Sequence, residues 1–294
     1  MVTALNLTTN THRFGIEIET IGQTRQTIAN AIQSVIGGQV YSIGSEWHAK
    51  QEDGRVWKVV HDASLTNVAP ERRAEVVSPI LTYADMDKLQ EIVRAIRKAG
   101  AKVDEKCGIH VHIDATDMTV TQIVNLTKIV YKQEEIIIMA LGIQQTRMER
   151  YTKPIDPTFI AKIENQKPKT KDDLNILWYG YHNRNPQRYD NSRYHGVNLN
   201  AVWVKNTIEF RWFEGTLHAG LIKAYVQLCL ALGAKAMNAK ASSSQRRMYD
   251  AQSAKYDFRV FLLGLGMIGE EFATARLHLL AKLPGDGAFK RGRQ

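Results

Sequence analysis

The chain has 294 residues, 44% of them hydrophobic and 23% charged, which is the composition of an ordinary globular protein. Two cysteines, Cys107 and Cys229, are too few for a disulfide framework, so we expect a reducing compartment. The first residues lack the basic start and apolar run of a signal peptide, and no apolar stretch is both long and uninterrupted enough for a membrane helix. The composition therefore predicts a cytoplasmic protein with no membrane partner.

The net charge of +9 indicates either an anionic partner or a solvated basic surface. The basic residues are spread through RAIRKAGAK, KIENQKPKTK, residues 184–193 and the C-terminal KRGRQ. This spread favours a solvated surface over a nucleic-acid groove. We therefore do not expect nucleic acid as a partner.

The first half of the chain alternates between predicted strands and helices. HRFGIEIET has the two-residue period of a half-buried strand, and TRQTIANAIQSVIGG has helical spacing before a glycine pair. Residues 46–61 predict a hairpin with a turn at Glu52, Asp53 and Gly54. A strand AEVVSPI, a helix over about 83–98 closed by Gly100, a strand CGIHVHID and a helix over about 119–140 follow.

The second half is less regular. Residues 144–191 show no clear period apart from short helical pieces such as PTFIAKIENQ, which indicates an insertion. YHGVNLNAVWV and TIEFRWFEGT predict a hairpin that turns at Lys205 and Asn206, and a helix over about 219–239 follows. We predict an α+β fold with a mostly antiparallel sheet. Residues 1–240 would be a catalytic domain, and 241–294 a linker, C-terminal helices and a flexible basic tail.

The first strand places two acids on one face. Side chains two apart on a strand point the same way, so Glu17 and Glu19 lie together, with Cα atoms about 6.6 Å apart. Like charges so close repel each other, and a bound cation removes that cost. Taken alone, the pair is a weak signal that favours an ordinary exposed strand face.

A second strand, GIHVHID, repeats the arrangement with His110, His112 and Asp114 on one face. Two imidazoles and a carboxylate in this order are a known way to present metal ligands or phosphate contacts. The neighbouring Cys107 is better explained by packing than by a role as nucleophile.

Further polar groups lie on the remaining strands. TIEFRWFEGT puts Glu209 and Arg211 on one face, where they form either a simple salt bridge or a grip on phosphate oxygens. VVHDASL adds Asp62, and AEVVSPI adds Glu75. A sheet face so rich in ligating groups predicts a metal and phosphate cluster.

Six ordered motifs carry a family resemblance: FGIEIE, HDASL, EVVSPIL, CGIHVHID, RYHGVNLN and TIEFRWFEGT. Over residues 12–220 they resemble the amidoligase family, which is related to glutamine synthetase and the glutamate–cysteine ligases. The resemblance implies a sheet of the glutamine synthetase catalytic-domain type, with a concave ligand-bearing face and helices on the other face. It also implies an ATP-dependent carboxylate–amine ligase that forms an acyl phosphate intermediate.

The resemblance further implies a set of metal ligands. Glu17 and Glu19 would bind different cations, Glu75 would join Glu19, and His110 and Glu209 would join Glu17.

The same resemblance assigns the other site residues. Arg211 would neutralise the transferred phosphoryl group, with Glu75 and Asp62 beside it as catalytic residues. His112 would contact the nucleotide, and we group Arg193 and Asn198 with it and with Arg211 as nucleotide-binding residues.

The expected cofactors are ATP and two or more Mg²⁺ or Mn²⁺ ions, and the expected substrates are a small-molecule or peptide carboxylate and an amine. A homo-oligomer remains open. Two alternatives also remain: a two-metal phosphoesterase or nuclease, and a non-catalytic nucleic-acid-binding protein on the same scaffold.

Overall fold

A computed structural model describes residues 4–7 and 13–291. The chain divides into two compact units. The first unit consists of Asn6–His112 and Phe213–Val226, and the second of Met1–Leu5, Ile113–Trp212 and Gln227–Gln294. His12, where the family resemblance begins, and the last three residues of the predicted basic tail lie outside the described residues.

Residues 14–114 supply six strands and two α-helices. Their elements are β1 (Phe14–Ile21), α1 (Arg25–Ile36), β2 (Gln39–Ile43), β3 (Glu46–Lys50), β4 (Val56–Val60), β5 (Arg73–Val77), α2 (Met86–Lys98) and β6 (Gly108–Asp114).

Residues 120–280 are mainly helical. Their elements are α3 (Val120–Leu141), α4 (Gln145–Arg150), α5 (Pro157–Gln166), α6 (Lys171–Tyr179), β7 (Val197–Asn198), α7 (Asn200–Lys205), β8 (Thr207–Glu214), α8 (Ala219–Asn238), α9 (Ala254–Gly264) and α10 (Ala273–Leu280).

The described strands form one open antiparallel sheet in the order β2-β3-β4-β5-β1-β6-β8-β7. Strands β6 and β8 have residues in both units, and hydrogen bonds join them inside each unit. In the first unit the Gly215 N–H donates to the Cys107 carbonyl at 2.8 Å, and in the second the Ala115 N–H donates to the Asn206 carbonyl at 2.8 Å. The predicted α+β class with an antiparallel sheet is confirmed.

Helix α1 covers part of this sheet in the first unit. It begins where the Thr24 side chain accepts a hydrogen bond from the Thr27 N–H, and it ends at Gly37, whose φ of 71° favours glycine. Its buried residues Ile28, Ala29 and Ile32 recur at helical spacing. The helix packs on β3, β4 and α2, so the apolar side of these strands lies in the core.

The predicted hairpin over residues 194–214 is wrong in its first strand. Only Val197–Asn198 is extended there, and Asn200–Lys205 is the short helix α7. The Asn198 side chain accepts a hydrogen bond from the Asn200 N–H at 2.9 Å, and this local bond starts the helix. Asn206, at φ 54°, ends it in the left-handed conformation that asparagine tolerates.

Residues 144–191 contain more regular structure than the sequence pattern indicates. Besides α5, which was predicted, this segment forms α4 and α6. Helix α6 has a capping box in which the Thr170 hydroxyl and the Asp173 carboxylate each accept a backbone N–H. The edge strand β2 was also missed, because Gln39–Ile43 alternates too briefly to predict a strand.

Among the described helices, α8 alone is long and apolar enough to cross a membrane by length and composition. Its most apolar stretch is 72% buried, which is the burial of a core helix in a globular fold.

Helix α3 carries a fully buried acid, Glu134, in the second unit. Its two carboxylate oxygens accept the Ile155 N–H at 2.9 and 3.1 Å, and Arg246 Nη2 lies 3.9 Å from one of them. Burial raises the pKa of Glu134 to about 8, against the effect of these two partners.

The raised pKa of Glu134 predicts a pH-dependent stability. The unfolded chain releases this proton near pH 4.5, so the free energy of unfolding should fall from there to about pH 8, by at most about 5 kcal/mol. Glu134→Gln keeps an acceptor for Ile155 but cannot ionise. We expect the variant to be more stable than the wild type at pH 8, with a smaller difference at pH 5, as measured by urea denaturation. The exposed Glu91→Gln is the control, and an equal effect of both changes would contradict the prediction.

A buried cluster of carboxylates and histidines

The centre of the sheet in the first unit carries three acids on one face. Glu17 and Glu19 on β1 are only 7% and 8% exposed, although their side chains are ionisable. The register of β1 and β5 pairs Glu19 with Glu75, and directly paired residues of antiparallel strands point to the same face. Backbone pairing therefore places Glu75 beside the two acids that the sequence pattern had grouped.

Two histidines of β6 lie against these acids. His110 Nδ1 is 3.1 Å from Glu17 Oε2, and His110 Nε2 is 3.7 Å from Glu19 Oε1. His112 Nε2 is 3.4 Å from Glu17 Oε1. Both imidazoles are 6% exposed, so these contacts are made out of bulk water. The predicted face of His110 and His112 is thus the face that meets Glu17 and Glu19.

The backbone of Gly108 also contributes to the cluster, which no pattern in the sequence predicts. Its N–H donates to Glu19 Oε2 at 2.6 Å and so fixes the orientation of that carboxylate. The glycine that precedes the two histidines is visible in the sequence, but a backbone donor has no residue-type signal.

The acids perturb one another. Burial raises the pKa of Glu75 well above its ordinary range, and the charges of Glu17, Glu19 and Asp62 raise it further. A hydrogen bond with Glu17 acts in the same direction. Glu75 therefore resists ionisation in the protein without a cation.

Three side chains of this cluster are close enough to share one metal ion. Glu17, Glu75 and His110 each offer a ligand atom, and these atoms lie within 4.8 Å of one another. Two carboxylates and one imidazole suit Mg²⁺ or Mn²⁺, because hard oxygen ligands dominate and the imidazole favours manganese. Asp62 lies near enough to affect Glu75, and its Oδ1 accepts the Ser64 N–H at 2.7 Å.

The other predicted residues belong to the second unit. Glu209 is buried, and its two oxygens accept hydrogen bonds from Asn198 Nδ2 at 2.5 Å and from Arg211 Nη1 at 2.7 Å. The register of β7 and β8 pairs Asn198 with Glu209 and explains this contact. Arg193 lies on a 3-10 turn and donates to the Tyr194 hydroxyl at 2.8 Å, so its hydrogen-bond partner is a tyrosine and not Glu209.

Cys107 has the environment of a packing residue. It is fully buried, and burial raises the pKa of its thiol to about 12, so the thiolate is not populated at neutral pH. A Cβ on Gly215 would come within 2.5 Å of the Cys107 Cβ, so the two strands approach too closely there for any larger residue.

A comparison with protein families matches residues 10–233 to the family described as "Putative amidoligase enzyme". The chain belongs to this family, as the six ordered motifs predicted. No curated protein sequence matches the chain.

The crowded acids predict that a single neutral substitution stabilises the cation-free protein. Because the pKa of Glu75 is raised, its ionisation costs stability progressively as pH rises above about 4.5 towards the folded pKa. In EDTA at pH 8, Glu75→Gln should therefore raise the melting temperature by a few degrees, roughly 1 kcal/mol or more. Adding Mn²⁺ should raise the melting temperature of the wild type more than that of the variant, because a bound ion stabilises only the form that holds it.

Exposed Glu91→Gln, on α2, is the matched control and should change neither value. A Glu75→Gln protein that melts below the wild type in EDTA would show instead that the Glu75 carboxylate stabilises the fold.

Proposed function

We propose that this member of the amidoligase family is an ATP-dependent ligase that joins a carboxylate to an amine through an acyl phosphate. The observation that supports this most is the cluster of the buried Glu17, Glu19, His110 and His112 with the half-buried Glu75. Phosphoryl transfer requires positioning and charge neutralisation more than covalent chemistry, and such a cluster with divalent cations supplies both. We propose that the sheet is of the glutamine synthetase catalytic-domain type.

Glu17, Glu75 and His110 are the residues proposed to hold a cation, and Glu19 is the proposed start of a second site. A bound divalent ion would neutralise charge on the nucleotide phosphates and on the activated carboxylate. Glu19 is already oriented by the Gly108 N–H, so its carboxylate needs little rearrangement to bind an ion. The assignment of Glu209 as a cation ligand stays a prediction.

Arg211 is proposed to neutralise charge on the moving phosphoryl group. Arg211 Nη1 donates a hydrogen bond to Glu209 Oε1 at 2.7 Å, which restrains the orientation of the guanidinium. Asn198 holds the other oxygen of Glu209, so the three side chains orient one another. A planar fork of donors in a fixed position suits the equatorial oxygens of a phosphoryl group. His112, Arg193 and Asn198 remain proposed nucleotide contacts, and Glu75 and Asp62 remain proposed catalytic residues.

Calorimetric binding of a non-hydrolysable ATP analogue tests the cation cluster. We expect wild-type protein to bind the analogue only with Mg²⁺ or Mn²⁺, and Glu17→Gln to weaken that binding by about tenfold or more, since a ligand is lost. Glu91→Gln, an exposed acid of the same unit, should bind as the wild type does. Binding that is independent of metal, or equal in both variants, would contradict the proposal.

Two activity assays on the wild-type protein distinguish the proposed ligase from the hydrolase alternative. Metal-dependent cleavage of bis(p-nitrophenyl) phosphate without any nucleotide requirement would favour a two-metal phosphoesterase. Formation of ADP that depends on an added carboxylate and amine would favour the ligase.

Arg211→Lys tests the role of the guanidinium. The lysine keeps the charge but loses the planar fork, so we expect the rate of ADP formation to fall by about tenfold or more while affinity for the ATP analogue changes by less than about threefold. Arg150→Lys, at an exposed position in α4, is the matched control. Equal losses in rate and affinity would place Arg211 in ground-state nucleotide binding instead.

A further inference from the structure

A row of alternating rings and guanidinium groups lies in the second unit. The rings of Tyr151 and Tyr194 are 6.3 Å apart at their centroids. The Arg193 guanidinium lies 4.8 Å from the Tyr194 centroid and 4.9 Å from that of Tyr189. Arg188 lies 5.6 Å from the Tyr189 centroid. We call these five residues the stacking row.

Local hydrogen bonds hold the stacking row in place. Arg193 Nη2 donates to the Tyr194 hydroxyl at 2.8 Å, so the guanidinium cannot rotate freely between its two rings. The Lys153 N–H donates to the Tyr194 carbonyl at 3.0 Å. Asp190 braces the turn by accepting the Ser192 N–H at 2.8 Å. The row is therefore ordered before any ligand binds, which lowers the entropic cost of binding.

The positive charge around this row is not balanced by acids. Residues 179–195 contain three arginines and a single acid, Asp190. Within the described part of the chain, no salt bridge joins Arg184, Arg188 or Arg193 to a carboxylate. The arginines are thus available to an external anion.

One ring of the row, Tyr189, is unusually accessible, whereas Tyr151 and Tyr194 are half-buried. Tyr189 is 70% exposed and the nearby Tyr181 is 60% exposed, whereas tyrosine rings usually lie partly buried. Exposed rings beside arginines suit a ligand that offers planar groups and negative charge together. Nucleobases and phosphates offer both, while an acidic peptide offers only the charge.

We propose that the stacking row binds single-stranded nucleic acid, a function that goes beyond the proposed ligase reaction and shares Arg193 with its proposed nucleotide site. Bases would stack on the tyrosine rings, with Arg188 and Arg184 contacting phosphates. The row extends through four consecutive contacts of 4.8 to 6.3 Å, and its most exposed ring, Tyr189, is the proposed stacking position. The scattered charge along the sequence did not favour a nucleic-acid partner; the folded chain brings rings and arginines together.

Fluorescence anisotropy of a labelled oligothymidylate of about twelve nucleotides, titrated with the full chain at about 50 mM salt, tests the proposal. Tyr189→Leu should weaken binding about tenfold, while Tyr189→Phe, which keeps the ring, should bind within about twofold of the wild type. Tyr189 is largely exposed, so thermal melting should show both variants folded. Equal binding by the two variants would overturn the stacking role.

The salt dependence separates a phosphate contact from general attraction. Each phosphate contact on a single strand contributes about 0.7 to the slope of log affinity against log salt, so Arg188→Gln should reduce the slope by about that amount. Arg94→Gln, an exposed arginine of α2 with the same change in net charge, should leave the slope unchanged.

Three outcomes would overturn the proposal: no binding of the oligonucleotide, equal effects of Arg188→Gln and Arg94→Gln, or equally strong competition by thymidine monophosphate or polyglutamate. The first two outcomes would show that the row is not a specific binding surface for nucleic acid. The third would show that the row binds a mononucleotide or any polyanion. The test requires no ATP or metal, so its failure leaves the proposed ligase function untouched.

Discussion

Repulsion among buried carboxylates is the constraint on which the first unit depends. Glu17, Glu19 and Glu75 lie on one sheet face where little water screens their charges, and the pKa of Glu75 rises as a result. A fold tolerates such crowding only when partners offset it. His110 and the Gly108 N–H provide part of this compensation, and the proposed cations would supply the rest.

The remainder of the first unit keeps these groups in place. Backbone pairing of β1 with β5 fixes Glu19 opposite Glu75, and a one-residue slip would turn one of the two acids towards the core. The buried Ile16 and Ile18 on the opposite face of β1 oppose such a slip, because it would move them from the apolar core to the polar face of the sheet. Hydrophobic burial thus maintains a register that electrostatic repulsion alone would disfavour.

The second unit uses polar groups differently. Glu209 has a hydrogen-bond donor on each oxygen, Asn198 and Arg211, so its charge is satisfied within the protein. Arg188 and Arg193 have tyrosine rings in place of acids, which leaves their charge available to a ligand. The hydrogen bonds around Glu209 hold its side chain in position. The arginines beside the tyrosine rings present their positive charge to a ligand.

The sequence alone determined the antiparallel α+β class and the shared faces of Glu17 with Glu19 and of His110 with His112, because a strand's two-residue period is a local property. The sequence pattern misassigned residues 200–205, where a helix forms and the Asn198 side chain accepts the Asn200 N–H at its start. The family resemblance grouped Glu75 with Glu19, but only the tertiary structure gave the strand register that pairs them and the position of Arg193 between Tyr189 and Tyr194. Strand register depends on contacts between distant residues, and side-chain packing within a loop depends on its backbone conformation, so no local pattern encodes either.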